Sequence, residues 1–84
     1  GFNKVAYQKS DIWRDIPQNS FFYFVHSYRI AKIKKNTDYK ISTTNYGENF
    51  ISFIECKKVF GAQFHPEKSH SCGLKLIKNF CDLD

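Results

Sequence analysis

Gln63-Phe64-His65-Pro66-Glu67-Lys68-Ser69 continues the run Val59-Phe60-Gly61-Ala62, whose apolar and aromatic residues read as a buried strand reaching to Phe64. Pro66 disfavours helical backbone at His65, which places the histidine in extended chain at the strand's end. Side chains two apart in extended chain project to one side, so Glu67 is expected to reach the His65 imidazole. A carboxylate on one ring nitrogen fixes the tautomer and stabilises the imidazolium. The other nitrogen then takes a proton from a nucleophile. These are two parts of a nucleophile–base–orienter triad. His-Pro-Glu alone fits a strand-end histidine beside a solvated carboxylate better than it fits a triad. Beyond it, Ser69 or Ser71 is placed to cap a helix. Leu74, Ile77, Phe80 and Cys81 recur on that helix at a spacing suited to packing one face on a sheet.

Upstream, Phe50 to Cys56 pairs naturally with Val59 to Phe64 as a hairpin across Lys57-Lys58. Neither lysine is a favoured residue of a two-residue primed turn, which points to a wider loop. Tyr39 to Asn45 is a further strand, and Gly47 in Tyr46-Gly47-Glu48-Asn49 can supply positive φ for a turn. Phe21 to Ser27, aromatic and β-branched, reads as a central strand. Arg29 to Ile33 continues in strand-like fashion to the polar turn Lys34-Lys35-Asn36-Thr37-Asp38. Phe2 to Tyr7 is a short strand. Gln8 to Ser20, broken by Pro17, is a connection with one helical turn around Ile12-Trp13. The expected architecture is a hairpin-rich set of strands ending in one helix.

The chain has 84 residues, room for one small domain that buries about 60–65% of its unfolded surface. A hydrophobic fraction of 42% with 18% aromatics is that of a packed chain and argues against disorder. The net charge of +5 comes from lysines spread along the sequence with no long basic block, which suits solvated faces or a partner surface better than nucleic acid. No apolar run approaches the ~18 residues needed to span a membrane. Cys56, Cys72 and Cys81 form no CxxC pair, as expected of reduced thiols in a cytoplasmic protein. There is no Met, and Gly1 opens directly onto a strand-like run, so residues 1–84 read as the C-terminal part of a longer protein.

The string Gln63 to Ser69, on a strand leading into a helix, resembles the closing motif of the class I glutamine amidotransferases. These are α/β domains of flavodoxin-like type that hydrolyse glutamine with a Cys-His-Glu triad and pass ammonia to a synthase. Three more stretches are similar to family patterns. Gly1-Phe2-Asn3-Lys4-Val5 looks like Gly-Trp-Asn-x-Val, and Phe22-Tyr23-Phe24-Val25-His26-Ser27-Tyr28 like Tyr-Tyr-Phe-Val-His-Ser/Thr-Tyr. Thr44-Asn45-Tyr46-Gly47 looks like Thr-x-Tyr-Gly. Together they resemble, in order and over nearly the whole chain, the glutaminase subunits of imidazole glycerol phosphate synthases in histidine biosynthesis.

The resemblance implies that His65 is the general base and that Glu67 orients it. Ser27 and Tyr28 match positions that bind glutamine, while His26 reads as structural or lining the site. Phe2, Tyr23 and Lys68 match the contact surface for a cyclase partner, a (β/α)8 barrel, in a heterodimer. Phe2 stands where the family usually has Trp. No cofactor and no metal are implied. The family's nucleophile lies in a Gly-x-Cys-x-Gly elbow, a context none of the three cysteines has, so the chain alone is expected to be inactive. Three other readings remain beside this one. They are a paralogous glutaminase feeding another synthase, for example for sugar amidination; a noncatalytic interaction module; and a metal site from His65, His70 and Cys72, whose spacing matches no strong zinc pattern.

Overall fold

The computed structural model describes residues 1–24, 39–57 and 59–83. Strand β1 (Phe2–Val5) pairs antiparallel with β2 (Ser20–Tyr23), and the connection between them carries a 3-10 turn at Asp11–Trp13. A second sheet is an antiparallel meander of β3 (Tyr39–Tyr46), β4 (Glu48–Cys56) and β5 (Val59–Ala62). A 3-10 turn at Pro66–Lys68 leads into helix α1 (His70–Cys81). Two short bridges join the sheets. Ala6 and Thr43 exchange both backbone hydrogen bonds at 2.8 Å, and Tyr23 pairs with His65. The expected hairpin-rich chain ending in one helix is what forms. Val25 to Asp38, including the second half of the expected central strand, lies outside the described residues.

The strand sequences explain how the core is filled. Register shifts between Ser42 and Thr43, so β4 carries one extra residue, Ser52, opposite β3. A regular strand would turn Phe50 and Phe53 to opposite faces; the bulge lets both enter the core. There Phe53 meets Trp13 edge-on at 5.0 Å, and Phe50 meets Phe24 at 5.8 Å. Trp13 also stacks on Tyr7 at 4.8 Å and lies edge-on to Phe22 at 5.7 Å. The buried aromatic rings thus form one cluster, with the 3-10 turn delivering its central ring.

Three expectations are corrected. The β4–β5 loop is not wide: Cys56 pairs with Val59, leaving two residues, and Lys57 adopts φ of 56°. The twist of the flanking strands favours positive φ at this point, and the register overrides the residue preference. Nor is β5 buried throughout. Val59 and Ala62 are exposed, and Phe64 is the residue that reaches the core.

The third correction concerns α1, which turns a different face inward. Leu74, Ile77, Phe80 and Cys81 are exposed, whereas Gly73, Leu76 and Asn79 are buried. Both stripes have helical spacing, so periodicity cannot choose between them. Backbone proximity does: a methyl added at Gly73 would overlap the Pro66 carbonyl oxygen, so this glycine allows the helix to close on the turn before it. Asn79 then fastens the other end by donating from Nδ2 to the carbonyls of Ile12 and Arg14, both at 2.8 Å. Asn79→Ala leaves two carbonyls without that donor and is expected to cost about 1–3 kcal/mol in chemical denaturation. A cost below about 0.5 kcal/mol, the range of ordinary surface substitutions, would show that water replaces the amide.

Candidate active site

His65 is extended, with φ −103° and ψ 98°, as the following proline requires. Its N–H donates to Tyr23 C=O at 2.8 Å, which fixes the histidine beside the end of β2. Glu67 is not in extended chain as expected; it sits in the 3-10 turn that Pro66 opens. The turn still brings the pair together, with Glu67 Oε2 3.0 Å from His65 Nδ1. With Glu67 ionised, Nδ1–H is the donor, and the tautomer is the one that presents Nε2 for proton exchange. The imidazole side chain is 34% exposed and the carboxylate 58%, so the pair lies at a solvent-reachable rim.

The hydrogen bond from His65, followed by a backbone N–H, holds the Glu67 carboxyl below its ordinary value of 4.5. A lowered carboxylate contributes stability above its unfolded pKa, and that contribution is lost as pH falls through the lower folded value. Carbon-13 NMR of the Glu67 carboxyl is therefore expected to give a midpoint below 4.5 that moves up in His65→Ala. A midpoint at or above the ordinary value in the unsubstituted protein would mean that the pair does not form in solution.

The residues expected at a partner surface also converge. Phe2 lies opposite Tyr23 in the β1–β2 ladder, with ring centroids 5.1 Å apart. On its other side Phe2 stacks on His70 at 5.2 Å, with the planes 4° apart. His70, the first residue of α1, is in the left-handed region with φ 54°. Lys68 is exposed and closes the turn just before Ser69, whose Oγ accepts from Tyr23 N–H at 2.9 Å. Phe2, Tyr23 and the segment 68–70 thus form one shelf next to His65.

Ser27, Tyr28 and His26 lie outside the described residues. Cys56 ends β4, while Cys72 and Cys81 are on α1. Among the described residues no group of three His, Cys, Asp or Glu side chains could hold a metal ion, and His70 stacks on Phe2. No described helix is long and apolar enough to cross a membrane.

Residues 2–83 match the family described as glutamine amidotransferase class-I. The chain belongs to the class I glutamine amidotransferases. The α/β class expected from its motifs follows from that membership. Among curated relatives, this amidotransferase chain is 49% identical over 84 residues to imidazole glycerol phosphate synthase subunit HisH of Buchnera aphidicola subsp. Acyrthosiphon pisum (strain APS). It is 45% identical over 85 residues to the HisH subunit of Chlorobium chlorochromatii (strain CaD3). Each match covers 99% of this chain and 41% of the relative. The HisH subunit of Aquifex aeolicus (strain VF5) is 43% identical over 81 residues, 95% of this chain and 38% of that protein. The amidotransferase chain therefore spans about two-fifths of the length of these relatives.

Two residues at the site escaped the sequence reading of this amidotransferase chain. Ser69 or Ser71 was expected to cap the helix; Ser69 stands at the cap position, yet its side chain makes no cap hydrogen bond and joins Tyr23 to His65 instead. Gly73 carries no chemistry, and its role as a point of close approach appears with the neighbouring turn in place. The serine directly after His-Pro-Glu-Lys was the available signal, because a hydroxyl there can bond either forwards to a helix or backwards to a strand.

Proposed function

We propose that this chain is the C-terminal portion of a glutamine-hydrolysing subunit that supplies ammonia to the cyclase of an imidazole glycerol phosphate synthase. The observation that carries the reading is the 3.0 Å contact between His65 Nδ1 and Glu67 Oε2, in a chain of this amidotransferase family. Similarity to several subunits named HisH supports the choice of acceptor enzyme. His65 Nε2 takes the proton of a cysteine thiol contributed by the N-terminal part of the domain. The thiolate attacks the side-chain carbonyl of glutamine. His65 then gives that proton to the leaving nitrogen, releasing ammonia and a glutamyl thioester. It next takes a proton from water, which hydrolyses the thioester to glutamate and restores the thiol. Glu67 holds Nδ1–H throughout and stabilises the imidazolium.

Ser27 and Tyr28 bind the α-amino and α-carboxylate groups of glutamine in this reading. Phe2, Tyr23 and Lys68 face a (β/α)8-barrel cyclase in a heterodimer, with Lys68 directed at a carboxylate of that partner. One feature favours a second acceptor: Phe2 lacks the indole N–H of the tryptophan usual there, so a paralogue serving another synthase would share the same hydrolytic site. No stretch of the 84 residues reads Gly-x-Cys-x-Gly, and the chain alone is expected to release no ammonia from glutamine. Ammonia release by the 84-residue chain, removed by substituting one of its own cysteines, would contradict this division of the triad.

A further inference from the structure

Ser69 occupies a place in the backbone ladder that a main-chain group would ordinarily fill. Tyr23 and His65 form an antiparallel bridge, and His65 N–H donates to Tyr23 C=O at 2.8 Å. In a regular ladder Tyr23 N–H would return to His65 C=O. Here that return path runs through a hydroxyl. Tyr23 N–H donates to Ser69 Oγ at 2.9 Å, and Ser69 O–H donates to His65 C=O at 2.6 Å. The hydroxyl uses its one donor and a lone pair on these two groups, and Ser69 is 2% exposed. Nothing of it is spent on capping α1.

The helix holds this wedge in place. Gly73 N–H donates to Ser69 C=O at 3.1 Å, and a methyl on Gly73 would crowd both Ser69 Cβ and the Pro66 carbonyl. Ser69 is thus gripped between the first turn of α1 and the backbone of His65.

We propose that Ser69 is a positioning residue for His65: its hydroxyl, inserted between β2 and the histidine backbone, sets where the imidazole stands relative to Glu67 and to the reacting thiol. The proposal rests on the reading of His65 as the general base. Without the hydroxyl, either Tyr23 N–H loses its partner while His65 C=O keeps the Lys68 N–H that donates to it at 3.1 Å, or Tyr23 N–H and His65 C=O close directly on each other. Closure shifts His65 on the scale of an oxygen atom and loss of the bridge frees it to shift, and a misplacement of about 1 Å at a reacting group is worth roughly 10²-fold in rate.

The test compares Ser69→Ala and Ser69→Cys with the unsubstituted full-length protein, in complex with its synthase partner. Steady-state glutamine hydrolysis is measured alongside carbon-13 titration of Glu67. Both variants are expected to lower kcat about 30- to 100-fold with KM within about 3-fold, because the loss falls on the reacting geometry. The Glu67 midpoint is expected to rise towards its ordinary value as the contact with His65 loosens. The cysteine variant keeps a group of similar shape with a weak, longer hydrogen bond, and it supplies a folded protein where alanine does not. A serine that merely supported the fold would lower the melting temperature and leave kcat and the Glu67 midpoint of the folded protein unchanged. That result overturns the proposal. Absence of glutamine hydrolysis in the unsubstituted complex would overturn the functional reading, while the Glu67 titration would still decide whether Ser69 holds the His65–Glu67 pair.

Discussion

Alanine in place of His65 is expected to lower kcat for glutamine hydrolysis by the full-length protein about 10²–10⁴-fold, the range lost with a general acid–base group. The imidazole moves a proton in each half of the proposed reaction, so both thioester formation and its hydrolysis slow. KM is expected to change little, since glutamine is held through other groups. Glu67→Gln should cost less, roughly 10–10²-fold. The carboxylate orients and stabilises but exchanges no proton itself, and at 58% exposure water replaces part of its effect. A steady-state ammonia assay on folded variants checks both. If His65→Ala stays within about 3-fold of the unsubstituted protein, the histidine is not the base, whatever its distance from Glu67.

The largest expected loss of stability comes from Trp13→Ala. Trp13 is 2% exposed and, among the described residues, contacts the rings of Tyr7, Phe22, Phe53 and Phe64. These rings come from the β1 exit, β2, β4 and the segment before His65, so one side chain ties the two sheets to the site. Deleting it leaves a cavity bounded by stiff aromatic rings that cannot collapse fully, and the cost is expected at about 3–5 kcal/mol. Against a typical domain stability of roughly 5–15 kcal/mol this is a large share. Phe21, 52% exposed, provides the control: Phe21→Ala should shift stability by about 0.5 kcal/mol or less. Equal denaturation midpoints for the two variants would contradict the placement of Trp13 at the centre of the core.

The His65–Glu67 contact was more legible than the packing around it. His65 and Glu67 could be paired from the sequence because Pro66 restricts the backbone on both sides of it, whether Glu67 lies in a strand or in a 3-10 turn. The hairpins were legible through their β-branched and aromatic runs, and the turn at Gly47, φ 78°, through the residue suited to it. Burial was harder. The inward stripe of α1 contains Gly73 and Asn79, and hydropathy ranks neither above Ile77 or Phe80. Close backbone approach of Gly73 to Pro66 and two hydrogen bonds from Asn79 to Ile12 and Arg14, 67 and 65 positions away, decide that face. The bulge at Ser52 is likewise a property of the β3–β4 pair, since β4 read alone alternates imperfectly and gives no register.

The most direct test of the proposed function is ammonia release from glutamine by the full-length protein, measured with and without a histidine-pathway cyclase and its nucleotide substrate. The proposed function predicts hydrolysis that rises when both are added and is lost in His65→Ala. A folded protein that releases no ammonia under either condition would contradict it.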